Sequence, residues 1–379
     1  MLEEFREYVR KWIRANTPEE LKEKGSTIPF SGRYVDNLDE LKRWHRKVYE
    51  AGLLGISWPK EYGGYGDDPI KELIAYEEFM KAKVPYGNPT AGIGMSIVGP
   101  SLIIAGSEDQ KRKYVKRILT GEDIWCQGFS EPQAGSDLAS IQTRAEDKGE
   151  YFEITGQKIW SSYAHLADYM ILLARTGKPE DRHKGLTMFI VDMRSQGITV
   201  KPIRQITGKS EFNMVYFNNL KVPKENVIGK VNEGWKIATL VLNNERVNLS
   251  IPFILAAENA LRNVLSNFKE KQKELELSIL NLYATKLLYN RMLELYGKRK
   301  SPPGIEAAIL KIISSEVLQE FYEFGVNNLD KETLIFEEPL SEASEFSLGL
   351  IASRAATIGG GSSEVLRNLI GESILKLPR

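Results

Sequence analysis

The chain changes its hydrophobic period twice, and the order of those changes excludes most folds before any motif is considered. Up to about residue 120 the apolar residues recur at helical spacing, as in Leu38, Leu41, Val48 and Leu53, with Gly52 ending that segment. Helical patterns resume at 71–81 and 107–119, where Ser107 is placed to act as an N-cap. From about 122 to 225 the pattern is that of short strands. Residues 151–155 alternate, 169–174 and 188–193 are strongly apolar, and 214–217 is a further candidate. Turns at Gly177-Lys178-Pro179 and Ser195-Gln196-Gly197 separate these runs. From 232 onward helical spacing returns over 232–268, 274–297, 304–325, 341–357 and 362–375, broken at Ser301-Pro302-Pro303-Gly304. Strands gathered in one block do not make βαβ units. The expected fold is therefore α+β: an N-terminal all-α domain over 1–121, a small β-barrel or sandwich over 122–231, and an antiparallel four-helix bundle over 232–379. No internal repeat is present, and no glycine-rich nucleotide fingerprint follows a strand.

Charge and cysteine content narrow the function. Of 379 residues, 51 are Lys or Arg and 51 are Asp or Glu, a balance unlike that of a nucleic-acid binder. The single cysteine, Cys126, allows no intramolecular disulfide and no cysteine cage. His45, His165 and His183 lack the i, i+4 spacing of a helical zinc site, so no metal is expected. The start, Met1-Leu2-Glu3-Glu4, is acidic and has no signal-peptide layout. The longest uncharged stretch, 90–107, is broken by four glycines and Pro100, so no membrane insertion is expected. These features together predict a cytoplasmic protein.

Five motifs then occur in a fixed order. They are Trp58-Pro59-Lys60-Glu61-Tyr62-Gly63-Gly64, the run from Trp125 to Asp137 containing Ser130-Glu131-Pro132-Gln133-Ala134-Gly135-Ser136, Gly156-Gln157-Lys158-Ile159-Trp160-Ser161-Ser162, Asn232-Glu233-Gly234-Trp235, and Gly359-Gly360-Gly361-Ser362-Ser363-Glu364. Over nearly its whole length the chain resembles the acyl-CoA dehydrogenase family. The resemblance implies FAD as cofactor, an acyl-CoA thioester as substrate and an electron-transfer flavoprotein as acceptor. It implies flavin contacts from Gln127, Phe129, Ser130, Gly135, Trp160, Ser161, Ser162, Ser362, Ser363 and Glu364. Ser136, Arg246, Gly360 and Gly361 would meet the substrate. Flavin loops that reach across subunits imply a homodimer or homotetramer.

The residue chemistry can be weighed without the family. A Ser-Glu-Pro can simply close a turn, yet the serine hydroxyl and nearby amides also suit a flavin's pyrimidine edge. Trp160 can be ordinary sheet surface or an indole platform for one ring face. The triple glycine can be a helix C-cap followed by a new N-cap at Ser362 or Ser363, or a loop that lets backbone approach a ligand. Arg246 can meet substrate or pair with an acid on its helix. The sharpest expectation is the base. In the family it stands in the C-terminal loop or, in isovaleryl-CoA-type enzymes, on the first bundle helix. The loop position here is Gly360, so the base falls to Glu245, which shares a helix face with Val241, Leu242 and Leu249. Apolar surroundings raise a carboxyl's pKa and strengthen it as a base. The alternative is that Glu245 pairs with a bundle cation.

Two departures stand out. The family's R-x-x-F-G segment is replaced by Lys269-Glu270-Lys271-Gln272-Lys273, and its Q-x-x-G-G segment by Phe336-Glu337-Glu338-Pro339. They lean toward members acting on branched, aromatic or polycyclic acyl groups. Other readings are a flavin oxidase or monooxygenase on the same fold, and a non-catalytic subunit supporting a partner's flavin site.

Overall fold

The computed structural model describes residues 2–22, 28–30, 37–299, 304–329 and 342–378. Its helices are α1 (Leu2–Asn16), α2 (Leu38–Glu50), α3 (Pro69–Lys81), α4 (Gly99–Ala105), α5 (Glu108–Leu119) and α6 (Gly234–Asn267). They continue with α7 (Glu276–Arg299), α8 (Ile305–Asn328), α9 (Glu342–Ser353) and α10 (Ser363–Ser373). The strands are β1 (Trp125–Gly128), β2 (Arg144–Asp147), β3 (Tyr151–Ser162), β4 (Tyr169–Arg175), β5 (Leu186–Asp192), β6 (Ile198–Pro202), β7 (Phe212–Pro223) and β8 (Val227–Ile228). Helices, then a sheet, then helices is the order the periodicity predicts. Chain contacts divide these elements into two compact units, residues 35–67 with 87–242, and residues 1–34, 68–86 and 243–379.

The first of these units holds the sheet. Its strand order is β6-β7-β3-β2-β4-β5-β8, with β1 joined in parallel to β4. Neighbours on both sides bury β4 from Met170 to Arg175, which is why its sequence runs apolar without alternation. β3 and β7 form a long antiparallel ladder in which Phe152 and Ile154 face inward. Near its end the register shifts. Lys158 pairs with Val215 and Ser161 with Asn213, so three steps on β3 match two on β7. The extra residue makes a β-bulge, and Trp160 there has φ +62°. α5 opens with a full capping box between Ser107 and Gln110. Its Tyr114, Val115 and Ile118 pack with Trp125 of β1. In the 58–66 loop a Cβ on Gly64 would lie 2.2 Å from the Trp58 carbonyl oxygen, so that glycine is needed for backbone contact.

The second unit is helical. Phe253, Ala256, Ala257 and Val264 of α6 share a core with Leu310, Val317 and Phe321 of α8 and Phe346 of α9. Each large side chain so buried contributes roughly 1.5–3 kcal/mol of transfer free energy. In the same unit, the buried carboxylate of Glu78 on α3 takes Arg10 Nε of α1 at 2.7 Å and is also paired with Arg6. Pro252 stands inside α6 and removes the N–H that would bond to the Asn248 carbonyl. No described helix is long and apolar enough to cross a membrane.

Candidate active site

The loop after β1 is fixed by a buried ion pair. Glu131 and Lys158 are both enclosed, and Lys158 Nζ lies 2.8 Å from Glu131 Oε1. The same ammonium donates to the Phe129 carbonyl at 2.8 Å. Glu131 also accepts the backbone N–H groups of Gln142 at 2.7 Å and Thr143 at 2.8 Å. Burial opposes its ionisation, but Lys158 and these N–H groups leave the Glu131 carboxyl below its ordinary value. Burial pulls the Lys158 ammonium down to about 8 against the pull of Glu131. Sequence reading assigned neither residue a role. The available signal was a lysine at an inward-facing position of β3, in parity with Phe152 and Ile154.

This pair sets Ser130 against β3, where its carbonyl accepts the Ile159 N–H at 2.9 Å. Ser130 and Trp160, expected to share a ligand, are therefore held one residue from a direct backbone bond. The bulge decides where Trp160 points. Strict alternation from buried Lys158 would turn residue 160 inward, whereas the extra residue turns Ser161 inward and leaves the indole 54% exposed. Phe212 meets the indole edge-on at 6.0 Å. Asn213, itself buried, donates to the Ser161 carbonyl at 3.0 Å and braces the bulge. The Ser161 hydroxyl is buried with no partner, and among the described residues the hydroxyls of Ser130 and Ser162 bond to nothing either. An exposed indole with the unclaimed, partly exposed hydroxyls of Ser130 and Ser162 beside it fits a planar ring rich in carbonyl and N–H groups. Gln127 is half-buried on β1, and Phe129 is enclosed. Gly135 and Ser136 are exposed, and a Cβ on Gly135 would meet nothing within 4 Å.

The remaining candidates belong to the helical unit. Glu245 and Arg246 lie on α6, and the glycine loop leads into α10. Arg246 Nε donates to the Gly360 carbonyl at 3.3 Å and its Nη1 to Asn243 Oδ1 at 2.6 Å. No carboxylate pairs with it among the described residues, so the ion-pair alternative for Arg246 is not what the fold uses. Gly360 (φ +69°) and Gly361 (φ +102°) are left-handed, and a Cβ on Gly360 would lie 2.6 Å from Leu249 Cδ1. The loop thus presses against α6 one turn beyond Glu245. Burial pushes the Glu245 carboxyl up to about 7, partly offset by Arg246 and Lys311. Lys311, absent from the sequence-derived site, is enclosed and donates to the Gly361 carbonyl at 2.7 Å. Ser362 caps α10, its hydroxyl accepting the Val365 N–H at 3.3 Å. The Ser363 hydroxyl is buried without a partner, and Glu364 is exposed. The N–H groups of Gly360, Gly361 and Ser362 donate to no acceptor among the described residues. Of the two departures, 269–273 lies in a 3₁₀ segment, Lys269–Leu275, and 336–339 lies outside the described residues.

Comparison with known proteins adds independent findings. Family models described as acyl-CoA dehydrogenase N-terminal, middle and C-terminal domains match residues 1–122, 126–220 and 232–375. Acyl-CoA dehydrogenase IpdE1 of Mycobacterium tuberculosis is 34% identical over 387 residues, covering 100% of this chain and 98% of its own. The caffeyl-CoA reductase-Etf complex subunit CarC of Acetobacterium woodii is 30% identical over 72% of this chain and 76% of its own. Among solved structures, the Tcur3481-Tcur3483 steroid ACAD superposes with a TM-score of 0.85 at 29% identity, covering 100% of this chain and 98% of that one.

Proposed function

The chain belongs to the acyl-CoA dehydrogenase family, and from that premise we propose that it desaturates an acyl-CoA thioester between Cα and Cβ, with Glu245 removing the α-proton. The observation that carries this reading is the pairing of a buried Glu245 with a loop that carries glycine where the family can place an acid. Gly360 has no side chain and its left-handed backbone, packed on Leu249, disfavours one, while burial raises the α6 carboxyl to about 7. A base with such a pKa is ionised near neutral pH yet binds a carbon-bound proton far better than an exposed carboxylate.

The unclaimed amides of Gly360, Gly361 and Ser362 suit the thioester carbonyl, whose oxygen gains charge as the α-proton leaves. Arg246 fixes the Gly360 peptide that carries this loop. Ser136 and Gly361 are assigned to the CoA and acyl ends of the substrate. FAD is the cofactor of this reading, held by Gln127, Phe129, Ser130, Gly135, Trp160, Ser161, Ser162, Ser362, Ser363 and Glu364. When bound it takes up the β-hydrogen as hydride. Trp160 would cover one face of its ring and the Ser130 hydroxyl would meet its polar edge.

The electrons pass to an electron-transfer flavoprotein, a partner class supported by the Acetobacterium relative, a subunit of a caffeyl-CoA reductase-Etf complex. The domain limits we assign are 1–121, 122–231 and 232–379, and the compartment is the cytoplasm. We further assign a homodimer or homotetramer built through the helical domain. Leu277, Leu280, Tyr283 and Leu287 line an exposed face of α7 at helical spacing, and association would cover them.

The test is Glu245→Gln. The variant should load FAD and bind acyl-CoA but reduce its flavin ~10²–10⁴-fold more slowly in stopped flow. Wild-type reduction by that variant with any reducing acyl-CoA would remove Glu245 as the base.

A further inference from the structure

Lys311 is the most improbable side chain in the helical unit. It lies on α8 between Leu310 and Ile312 with no exposed surface, and its one hydrogen bond runs to the carbonyl of Gly361. An ammonium withdrawn from water is costly unless charge or several acceptors replace its hydration. Here no carboxylate pairs directly with it among the described residues. Glu316 is engaged by Arg367, and Glu364 is exposed. Glu245 acts on it only through space, and Arg246 is a second cation in the same field.

The geometry of the loop explains what such a lysine does. Arg246 takes the carbonyl of Gly360 and Lys311 takes the carbonyl of Gly361, so two successive peptides are each held by a cation. In a trans peptide the N–H points opposite to its carbonyl. Turning those two oxygens toward Arg246 and Lys311 therefore turns the N–H groups of Gly361 and Ser362 away from them, and both N–H groups lack a protein acceptor. Gly360 and Gly361 occupy left-handed backbone, which leaves this stretch no side chain of its own to hold it in place.

We propose that Lys311 is a positioning residue for the desaturation: by gripping the Gly361 carbonyl it orients the Gly361–Ser362 peptide of the loop assigned to the thioester. This rests on Glu245 being the base. Lys311 and Arg246 also both draw the Glu245 carboxyl down against burial. Burial and Arg246 pull the Lys311 ammonium itself down to about 8, against Glu316, Glu364 and Glu245, so it stays protonated at neutral pH.

The experiment compares wild type, Lys311→Met, Lys311→Gln and Glu245→Gln as FAD-loaded proteins. Two readouts are used: pH-dependent flavin reduction by an acyl-CoA that reduces wild type, and hydrogen exchange at Ser363, Val365 and Leu366. Those three amides report the loop because they bond to Thr357, the Ser362 hydroxyl and the Ser362 carbonyl. Lys311→Met should slow reduction ~10-fold or more, move the rising limb of its pH profile to higher pH, and speed exchange at the three amides. Lys311→Gln keeps a donor without charge, so it should retain protection while still shifting the pH profile. It also serves as the working variant should Lys311→Met fail to fold. If Glu245→Gln is slow while Lys311→Met and Lys311→Gln match wild type in rate, pH profile and exchange, the role of Lys311 is overturned and the base stands. If Glu245→Gln keeps the wild-type rate, the underlying assignment of the base falls instead.

Discussion

Lys158 Nζ and Glu131 Oε1 meet at 2.8 Å with both side chains withdrawn from solvent, and that contact ties the loop carrying Phe129 and Ser130 to the strand carrying Trp160. Removing one partner leaves a buried charge uncompensated. Lys158→Met should therefore destabilise the protein by ~3–5 kcal/mol, and the double variant Lys158→Met/Glu131→Leu should recover much of that loss. Denaturant midpoints of the four proteins of the cycle measure it. The Glu131 carboxyl lies below its ordinary value of 4.5, so its stabilisation is complete above about pH 4.5 and disappears as pH falls through its folded value.

Glu245 has the opposite sign. Its carboxyl is raised to about 7 from an ordinary 4.5, so between those pH values the folded protein holds a proton that the unfolded chain has released. Its contribution is fully present below pH 4.5 and is lost as pH rises through 7. Glu245→Gln should thus unfold at a higher temperature than wild type at pH 8 and at nearly the same temperature at pH 4.5. Equal shifts at both pH values in calorimetry would contradict the raised pKa.

Trp160 is exposed and strained in the free protein, so its side chain stabilises the fold little. Trp160→Ala should leave the unfolding free energy of the FAD-free chain within ~0.5 kcal/mol. Loss of aromatic stacking should weaken FAD binding by about tenfold, read from the recovery of free-flavin fluorescence. A variant that bound FAD as tightly as wild type would show that the indole does not face the ring.

His45 gives a separate acid-labile point. The Asn88 N–H can only donate, so Nδ1 (3.0 Å) accepts and the ring proton sits on Nε2, donated to the Leu119 carbonyl at 3.0 Å. Burial lowers this imidazole from 6.5 to about 4, with the Leu119 and Ile118 carbonyls opposing. Its stabilisation is complete above pH 6.5 and falls away as pH drops toward 4. His45→Gln should flatten the stability-against-pH curve between 4 and 6.5, as measured by urea unfolding.

Much of this architecture is legible because helices and strands have different periods. The capping box at Ser107 and the run from Met170 to Ala174 follow directly from their residues. The short strands β2 and β6 escape notice because Arg144-Ala145-Glu146-Asp147 is mostly charged and Ile198–Pro202 is mostly exposed, so neither carries a clean alternation. In the proposed site, Glu245, Trp160 and the glycine loop are the candidates that motif and position offer. Glu131, Lys158 and Lys311 do not, because a buried charge looks in sequence like any surface charge. Only its place within an apolar pattern, such as Lys311 between Leu310 and Ile312, marks it. Which carbonyl it grips is decided by chain segments dozens of residues away.

The 2.6 Å that would separate a Gly360 side chain from Leu249 also bears on how such an active site can change over time. An acid cannot be moved from α6 to the loop by one substitution. Any residue larger than glycine at 360 must adopt a left-handed backbone and push the Leu249 side chain aside, while Glu245 would remain as a second, competing carboxyl. Relocation needs changes at both position 360 and Glu245, with Leu249 repacked between them, and a single step leaves either two carboxyls or none. Helix-based and loop-based proton removal are thus separated by a barrier in mutational space, set by a left-handed backbone and the Leu249 side chain packed on it.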